Sequence, residues 1–158
     1  MARLSRRVAA TVTALVAVVA LAGCGGGTST KEKNAYAREV NAAQQRFATT
    51  VSTVAQPGAG GSVAKQQRTL TRFKRAIDSV VRELRGIDAP SEVTKEHERL
   101  VAVMTGFGKD IGEASDAMRN PTPQRIELAK RRLGGVTQSV NARVAAAIAA
   151  INAKLRGK

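Results

Sequence analysis

The residue types best suited to chemistry are scarce in this chain of 158 residues, which contains one histidine, His97, and one cysteine, Cys24. A zinc site of the usual kind needs several His or Cys ligands, so none is expected here. Met104 follows His97 by seven residues and shares its helix face. Two residues on one face of one helix cannot both be the axial ligands of a haem, because these ligands approach the iron from opposite sides. We therefore expect no metal and no cofactor.

The carboxylates near His97 do not form a recognisable catalytic arrangement. Glu96 and Glu98 lie two residues apart and so face different directions on a helix. The Glu-x-x-His spacing of di-iron proteins would place a glutamate where the chain has Thr94. The sequence also contains no Gly-x-Ser-x-Gly turn and no phosphate-binding loop. We expect a protein that is not an enzyme, with His97 buried and hydrogen-bonded to Tyr36, to a carboxylate or to backbone.

The N-terminal segment carries the clearest pattern in the chain. Arg3, Arg6 and Arg7 form a positively charged start, and the 15 residues that follow Arg7 are uncharged. That run is shorter than the roughly 20 residues that span a bilayer, so it is typical of a signal peptide, residues 1–23. The alternative is an uncleaved anchor helix followed by an incidental cysteine.

The leader ends in Leu21-Ala22-Gly23-Cys24, which resembles the lipobox of bacterial lipoproteins. In that family the cysteine thiol carries a diacylglycerol, the leader is cut before the cysteine, and the new N-terminus is usually acylated, for example with palmitate. The resemblance implies lipidation of Cys24 and an extracytoplasmic protein anchored to the cell membrane. The 17 Arg against 9 Lys and the abundant Ala and Val are similar to those of small α-helical lipoproteins of high-GC Gram-positive bacteria.

Four amphipathic patterns follow a flexible Gly/Ser/Thr tether, residues 24–30. Apolar residues recur at spacings of three and four within each pattern, and segments rich in Pro and Gly separate them. The predicted helices cover residues 31–56, 62–86, 91–119 and 123–156. Long helices joined by short connections predict an all-α fold, an antiparallel up-down-up-down four-helix bundle. The alternative is a pair of coiled-coil hairpins that closes only on dimerisation.

Glycines interrupt the third and fourth helices, where alanine would be the better helix former. Gly108 precedes Asn120 by 12 residues and Gly135 follows Pro123 by 12, so the two glycines should lie at similar heights. Close helix packing would explain them, and so would a kink that opens a small apolar cleft. The residues that would form such a cleft are Phe107, Gly108, Ile111 and Gly135.

Basic side chains recur along one face of the second helix. These residues are Lys65, Arg68, Arg72, Arg75 and Arg82. The whole chain has 26 Lys and Arg against 12 Asp and Glu. Nucleic acid is not expected as a partner, because the chain is expected to be exported and has only four aromatic residues that could stack on bases. Phospholipid headgroups and phosphorylated wall polymers remain, and arginine binds phosphate with two parallel hydrogen bonds. The alternative is a solvated face that binds nothing.

Together these patterns indicate a membrane-anchored extracytoplasmic lipoprotein with a non-enzymatic binding or structural role at the cell envelope. Its expected partner there is an anionic polymer or another protein, besides the membrane lipid that the Cys24 anchor would enter. The alternative function is a small-ligand carrier that uses the cleft near the glycines of the third and fourth helices.

Replacing Cys24 tests the lipidation. Cys24 is the only cysteine in the chain, and only a thiol can take a thioether-linked lipid, so Cys24→Ala should accumulate as an uncleaved or mislocalised precursor. Membrane fractionation and mass spectrometry of the N-terminus measure this, with Gly27→Ala as the control that leaves the thiol in place. Cleavage of Cys24→Ala after Gly23 at the wild-type yield would contradict the prediction.

Overall fold

A computed structural model describes residues 28–54 and 62–157, which form four α-helices and, within these two segments, no strand. The helices are α1 (Thr30–Val54), α2 (Val63–Arg85), α3 (Thr94–Arg119) and α4 (Pro123–Leu155). The described part of the chain is thus all-α, as the sequence predicts. No described helix has the length and the apolar run needed to cross a membrane. The predicted signal peptide and Cys24 lie outside the described residues.

Three of the helices begin at a polar cap that the sequence encodes. Ser62 and Thr122 cap α2 and α4 with their hydroxyl oxygens. Before α1, Ser29 accepts from the backbone N–H of Glu32 at 3.2 Å, and the Glu32 carboxylate accepts from the N–H of Ser29 at 2.8 Å. This reciprocal pair is a capping box. Because of it, α1 begins at Thr30, within the segment that the sequence assigns to the tether.

The four helices pack against each other around a main apolar core, and Ala114, Met118 and Ala129 form a smaller second cluster. Consecutive helices make the close contacts: α1 lies on α2, α2 on α3, and α3 on α4. The predicted apolar stripe of α3 is buried along its whole length, from Val93 to Met118. Tyr36, Ile77 and Ile151 bring the other three helices into the same core. The other three helix pairs, α1 and α4 among them, bring their backbones together at few points or none.

Small residues allow α2 and α3 to lie close together. A Cβ atom on Gly108 would meet Ile77 Cγ2 at 3.2 Å and the Asp78 carboxylate at 3.3 Å, and one on Gly112 would meet Lys74 Cε at 3.0 Å. These distances are shorter than ordinary van der Waals contacts. A side chain at Gly108 would press on the buried Ile77, whereas one at Gly112 would meet only the flexible end of Lys74. Close packing against α2 is therefore the reason for glycine at position 108.

Candidate functional site

His97 lies on the buried face of α3 and joins three helices. The Tyr36 hydroxyl oxygen on α1 lies 3.1 Å from its Nδ1, and its Nε2 lies 2.9 Å from the carbonyl oxygen of Leu84 on α2. Since a carbonyl oxygen can only accept, Nε2 carries the proton, and in the neutral ring Nδ1 accepts the hydroxyl hydrogen of Tyr36. The prediction that His97 is buried and bonded to Tyr36 or to backbone is confirmed, and both of these partners are present.

The carbonyl that His97 reaches belongs to the last turn of α2. The final four carbonyl groups of a helix lack the usual intrahelical donor, so other N–H groups donate to them. The carbonyl of Leu84 accepts from the backbone N–H of Ile87 at 3.1 Å and from the ring of His97, which lies in the core. With both ring nitrogens hydrogen-bonded, His97 has none left to bind a metal or take a proton from a substrate. Within residues 28–54 and 62–157, no cluster of His, Cys, Asp and Glu could hold a metal ion.

The chemistry of Tyr36 is governed by its burial, because only 2% of the residue is exposed. Its ring meets that of His97 edge-on, with the ring centroids 5.6 Å apart. Burial raises the pKa of the Tyr36 phenol far above its ordinary value, and the negative charge of Glu96 raises it further. The phenol therefore keeps its proton and remains the donor to His97. The pair attaches α1 to α3.

An ionic contact ties the start of α1 to the connection between α2 and α3. Lys33 Nζ lies 2.8 Å from Glu92 Oε1, and the hydroxyl of Thr28 also donates to the Glu92 carboxylate. The hydrogen bond from Lys33, followed by that from Thr28, lowers the pKa of Glu92. Glu92 is thus a structural anchor for the residues that lead into α1.

The five predicted polyanion-binding residues lie together on the solvent side of α2, and we call them the α2 basic face. They are Lys65, Arg68, Arg72, Arg75 and Arg82. All five are exposed, and none pairs with a carboxylate in the part of the chain that the structure describes. Lys74, on the side of α2 that meets α3, does pair with Asp78, at 2.6 Å. The α2 basic face is therefore a row of uncompensated positive charges.

A second group of basic residues, which includes Arg131 and Arg132 in the first half of α4, differs from the α2 basic face. Arg132 forms an ion pair with Glu113 of α3, and Arg131 lies 3.9 Å from Glu127 of its own helix. Carboxylates thus compensate two cations of this group. These pairings link α3 to α4 and weaken the group as a site for anions.

The four cleft candidates do not surround one opening. Gly108 packs against α2, and Ile111 is buried in the core. Gly135 has no neighbouring atom within 4 Å of the position where its Cβ would lie. Phe107 alone of the four lines a cavity, and that cavity lies between α1 and α4. The other residues that α3 contributes to this cavity are Leu100 and Met104.

This cavity, which we call the α1–α4 cavity, has a volume of about 210 Å³ and receives residues from all four helices. Most of its walls are apolar; the larger side chains are Phe47, Leu84, Met104, Phe107, Val144 and Ile148. Two polar side chains, Gln44 and Asn141, also line it, and no ionisable side chain does. The cavity opens where α1 and α4 fail to close on one another.

Gln44 is the residue of the α1–α4 cavity that needs explanation. Its amide nitrogen and oxygen are both shielded from solvent, and neither has a hydrogen-bond partner among the described residues. A buried polar group left in this state costs about 1–3 kcal/mol. The sequence itself indicates that Gln44 lies beside the core, because Gln44 follows Val40 by four residues and precedes Phe47 by three. A glutamine at those spacings borders the apolar stripe of α1.

Comparison with known proteins yields no relative: no family model, no curated protein and no solved structure matches this chain. The candidate sites are consequently those that its own residues define, namely the α2 basic face and the α1–α4 cavity.

Alkaline titration tests the environment of Tyr36, which is the only tyrosine in a chain without tryptophan. The unfolded chain loses its phenol proton near pH 10, whereas the raised pKa of the folded state keeps it. Stability from this group is therefore complete below about pH 10 and falls above it, by about 1.4 kcal/mol for each pH unit. Tyrosinate absorbance should appear only together with the loss of helical circular dichroism.

Tyr36→Phe is the control for other alkaline effects, because it keeps the aromatic ring and removes the titrating group. Urea titrations of this variant should show a smaller decrease of unfolding free energy between about pH 10 and 11 than the wild type. If tyrosinate forms near pH 10 while the helices remain intact, Tyr36 is not buried as described.

Proposed function

We propose that the protein is a non-enzymatic lipoprotein of the cell envelope, anchored outside the cytoplasm through Cys24, which binds an anionic polymer along the α2 basic face. The anchor is supported by the lipobox-like residues Leu21-Ala22-Gly23-Cys24 and by the leader that precedes them. The binding role is supported by one observation above all. The five cations of the α2 basic face are exposed and have no carboxylate partner in the described chain.

We also propose that the four helices form an antiparallel up-down-up-down bundle. Side-chain contacts support opposite directions for α2 and α3, because His97 meets Leu84 whereas Ser115 meets Thr71. The residue number thus falls along α2 as it rises along α3. In such a bundle, the start of α1 and the end of α2 lie at the same end.

The proposed anchor would hold this end of the bundle close to the membrane. The four peptide units from Cys24 to Thr28 span at most about 15 Å. The α2 basic face covers 18 residues from Lys65 to Arg82, and the 17 steps between them span about 25 Å at 1.5 Å per residue. It would therefore extend from near the membrane outward along the bundle, a direction that suits an extended polymer better than a flat layer of headgroups.

Phosphate is the anionic group that best fits this face. Four of its five residues are arginines, whose planar guanidinium groups each bind two oxygens of a phosphate. The proposed ligand is thus a phosphorylated wall polymer, and an acidic surface on a partner protein is the other ligand that such a face could bind.

The alternative function is transport or storage of a small ligand. The α1–α4 cavity favours it, because mostly apolar walls with a few polar side chains are typical of a small-ligand site, and this cavity of about 210 Å³ has an unpartnered amide at its wall. This function does not require the α2 basic face.

Charge reversal on the α2 basic face tests polymer binding. Changing both Arg72 and Arg75 to glutamate should abolish retention of the protein on isolated cell walls and leave its helical circular dichroism unchanged, because both side chains are exposed. Retention of the wild type should fall steeply with added salt, since charges in water are screened over about 8–10 Å at physiological ionic strength.

The matched control changes Arg99 and Arg143 to glutamate. Both are exposed arginines on other helices, and neither forms an ion pair with another described residue. This variant has the same net charge as the first but keeps the α2 basic face, so it should retain most of the binding. Equal loss in the two variants would mean that net charge alone attracts the polymer. Full retention by both would exclude the α2 basic face as the binding surface.

A further inference from the structure

The walls of the α1–α4 cavity restrict what it can hold. Apolar side chains of all four helices surround it, and none of its lining residues carries an ionisable group. A charged ligand group would lose its hydration there without gaining an opposite charge, which is strongly unfavourable. The part of a ligand that enters the cavity is therefore neutral and mostly hydrocarbon.

The shape of the cavity indicates a chain. Its lining on α4 runs from Val140 to Ile148, about 12 Å along the helix axis. Its volume of about 210 Å³ exceeds the roughly 150 Å³ of an engineered protein cavity that holds benzene. A linear hydrocarbon of medium length fits these dimensions, and the gap between α1 and α4 lets the remainder of a larger molecule emerge.

Gln44 specifies the polar group of that ligand. Its amide nitrogen donates and its amide oxygen accepts, and both atoms lack partners in the described chain. One ligand group satisfies both atoms only if it also offers a donor and an acceptor side by side. A primary amide does so without charge, because one of its N–H bonds lies on the same side as its carbonyl oxygen, whereas a carboxylate only accepts and a hydroxyl offers a single oxygen atom.

We propose that the α1–α4 cavity binds a single acyl chain that ends in a primary amide, with the ligand amide paired to the amide of Gln44. This inference rests on the alternative carrier function and is independent of the α2 basic face. The acyl chain fills the space between Phe47 and Val144, next to the opening between the two helices.

Binding of radiolabelled decanamide tests the proposal. The purified full chain is reconstituted into phosphatidylcholine vesicles, and the label that sediments with them is measured against vesicles that contain the variant Val144→Phe at equal density. Partition into lipid is the same in both samples, so the difference is binding to the cavity. We expect saturation at one decanamide per chain, and a Kd that tightens about four-fold for each methylene added from hexanamide to decanamide.

Two variants separate filling of the cavity from damage to the fold. Val144→Phe fills the cavity and should weaken binding at least tenfold. Val136→Phe is the matched control, because Val136 is also half-buried on α4 but does not line the cavity, and it should bind as the wild type does. If Val144→Phe loses its helical circular dichroism, Ala48→Leu fills the opposite wall from α1 and replaces it.

Gln44→Leu tests the amide pairing, because it removes the polar group at similar size. Wild-type protein should bind decanamide about tenfold more tightly than decanol, and Gln44→Leu should reduce this ratio to about two. Decanol or decanoate that binds as tightly as decanamide would overturn the amide inference and leave the carrier function standing. If none of the three ligands shows saturable binding that Val144→Phe removes, both the inference and the carrier function are wrong.

Discussion

The hydrogen bonds from Tyr36 to His97 and from His97 to the carbonyl of Leu84 hold one end of the molecule together. Each of the three residues belongs to a different helix, and all three are buried. Removing the side chain of Tyr36 or of His97 would leave a buried polar atom of the other without a hydrogen bond, at a cost of about 1–3 kcal/mol. These two hydrogen bonds fix the position of α1, which otherwise makes the fewest close contacts of the four helices. The ion pair between Lys33 and Glu92 strengthens the same end.

The α1–α4 cavity follows from where α1 is held and from the size of the residues beyond that point. α1 contributes Ala43 and Ala48 to the cavity wall, and α4 contributes Ala145. Alanine side chains bury little apolar area, so the two helices gain little by closing on one another. Between α2 and α3 the opposite holds, because Gly108 allows close contact between the two helices. Small residues thus close one interface and leave the other open.

Much of the fold could be predicted from the sequence, because helical periodicity and capping are local properties. The caps Ser62 and Thr122 and the buried stripe of α3 are local patterns of this kind, and Tyr36 is one of the three kinds of partner expected for His97. The capping box of Ser29 and Glu32 is a local pattern too, although the predicted tether includes Ser29.

The α1–α4 cavity could not be predicted, since its walls come from helices about 100 residues apart in the chain. Periodicity shows that residues face a core but not whether the core is filled. The glycines were for this reason an unreliable guide: Gly108 marks close packing, and Gly135 has an open surround. The ion pairs that compensate Arg131 and Arg132 were also beyond the sequence, and they separate this group from the α2 basic face.

The protonation of the His97 ring tests the central interaction most directly. Nitrogen-15 NMR distinguishes a protonated ring nitrogen from one that accepts a hydrogen bond, and His97 is the only histidine in the chain. At mildly alkaline pH the structure predicts a proton on Nε2 that exchanges slowly with solvent, and an unprotonated Nδ1 that accepts from Tyr36. A proton on Nδ1, or a ring proton that exchanges as rapidly as in an exposed histidine, would contradict the account.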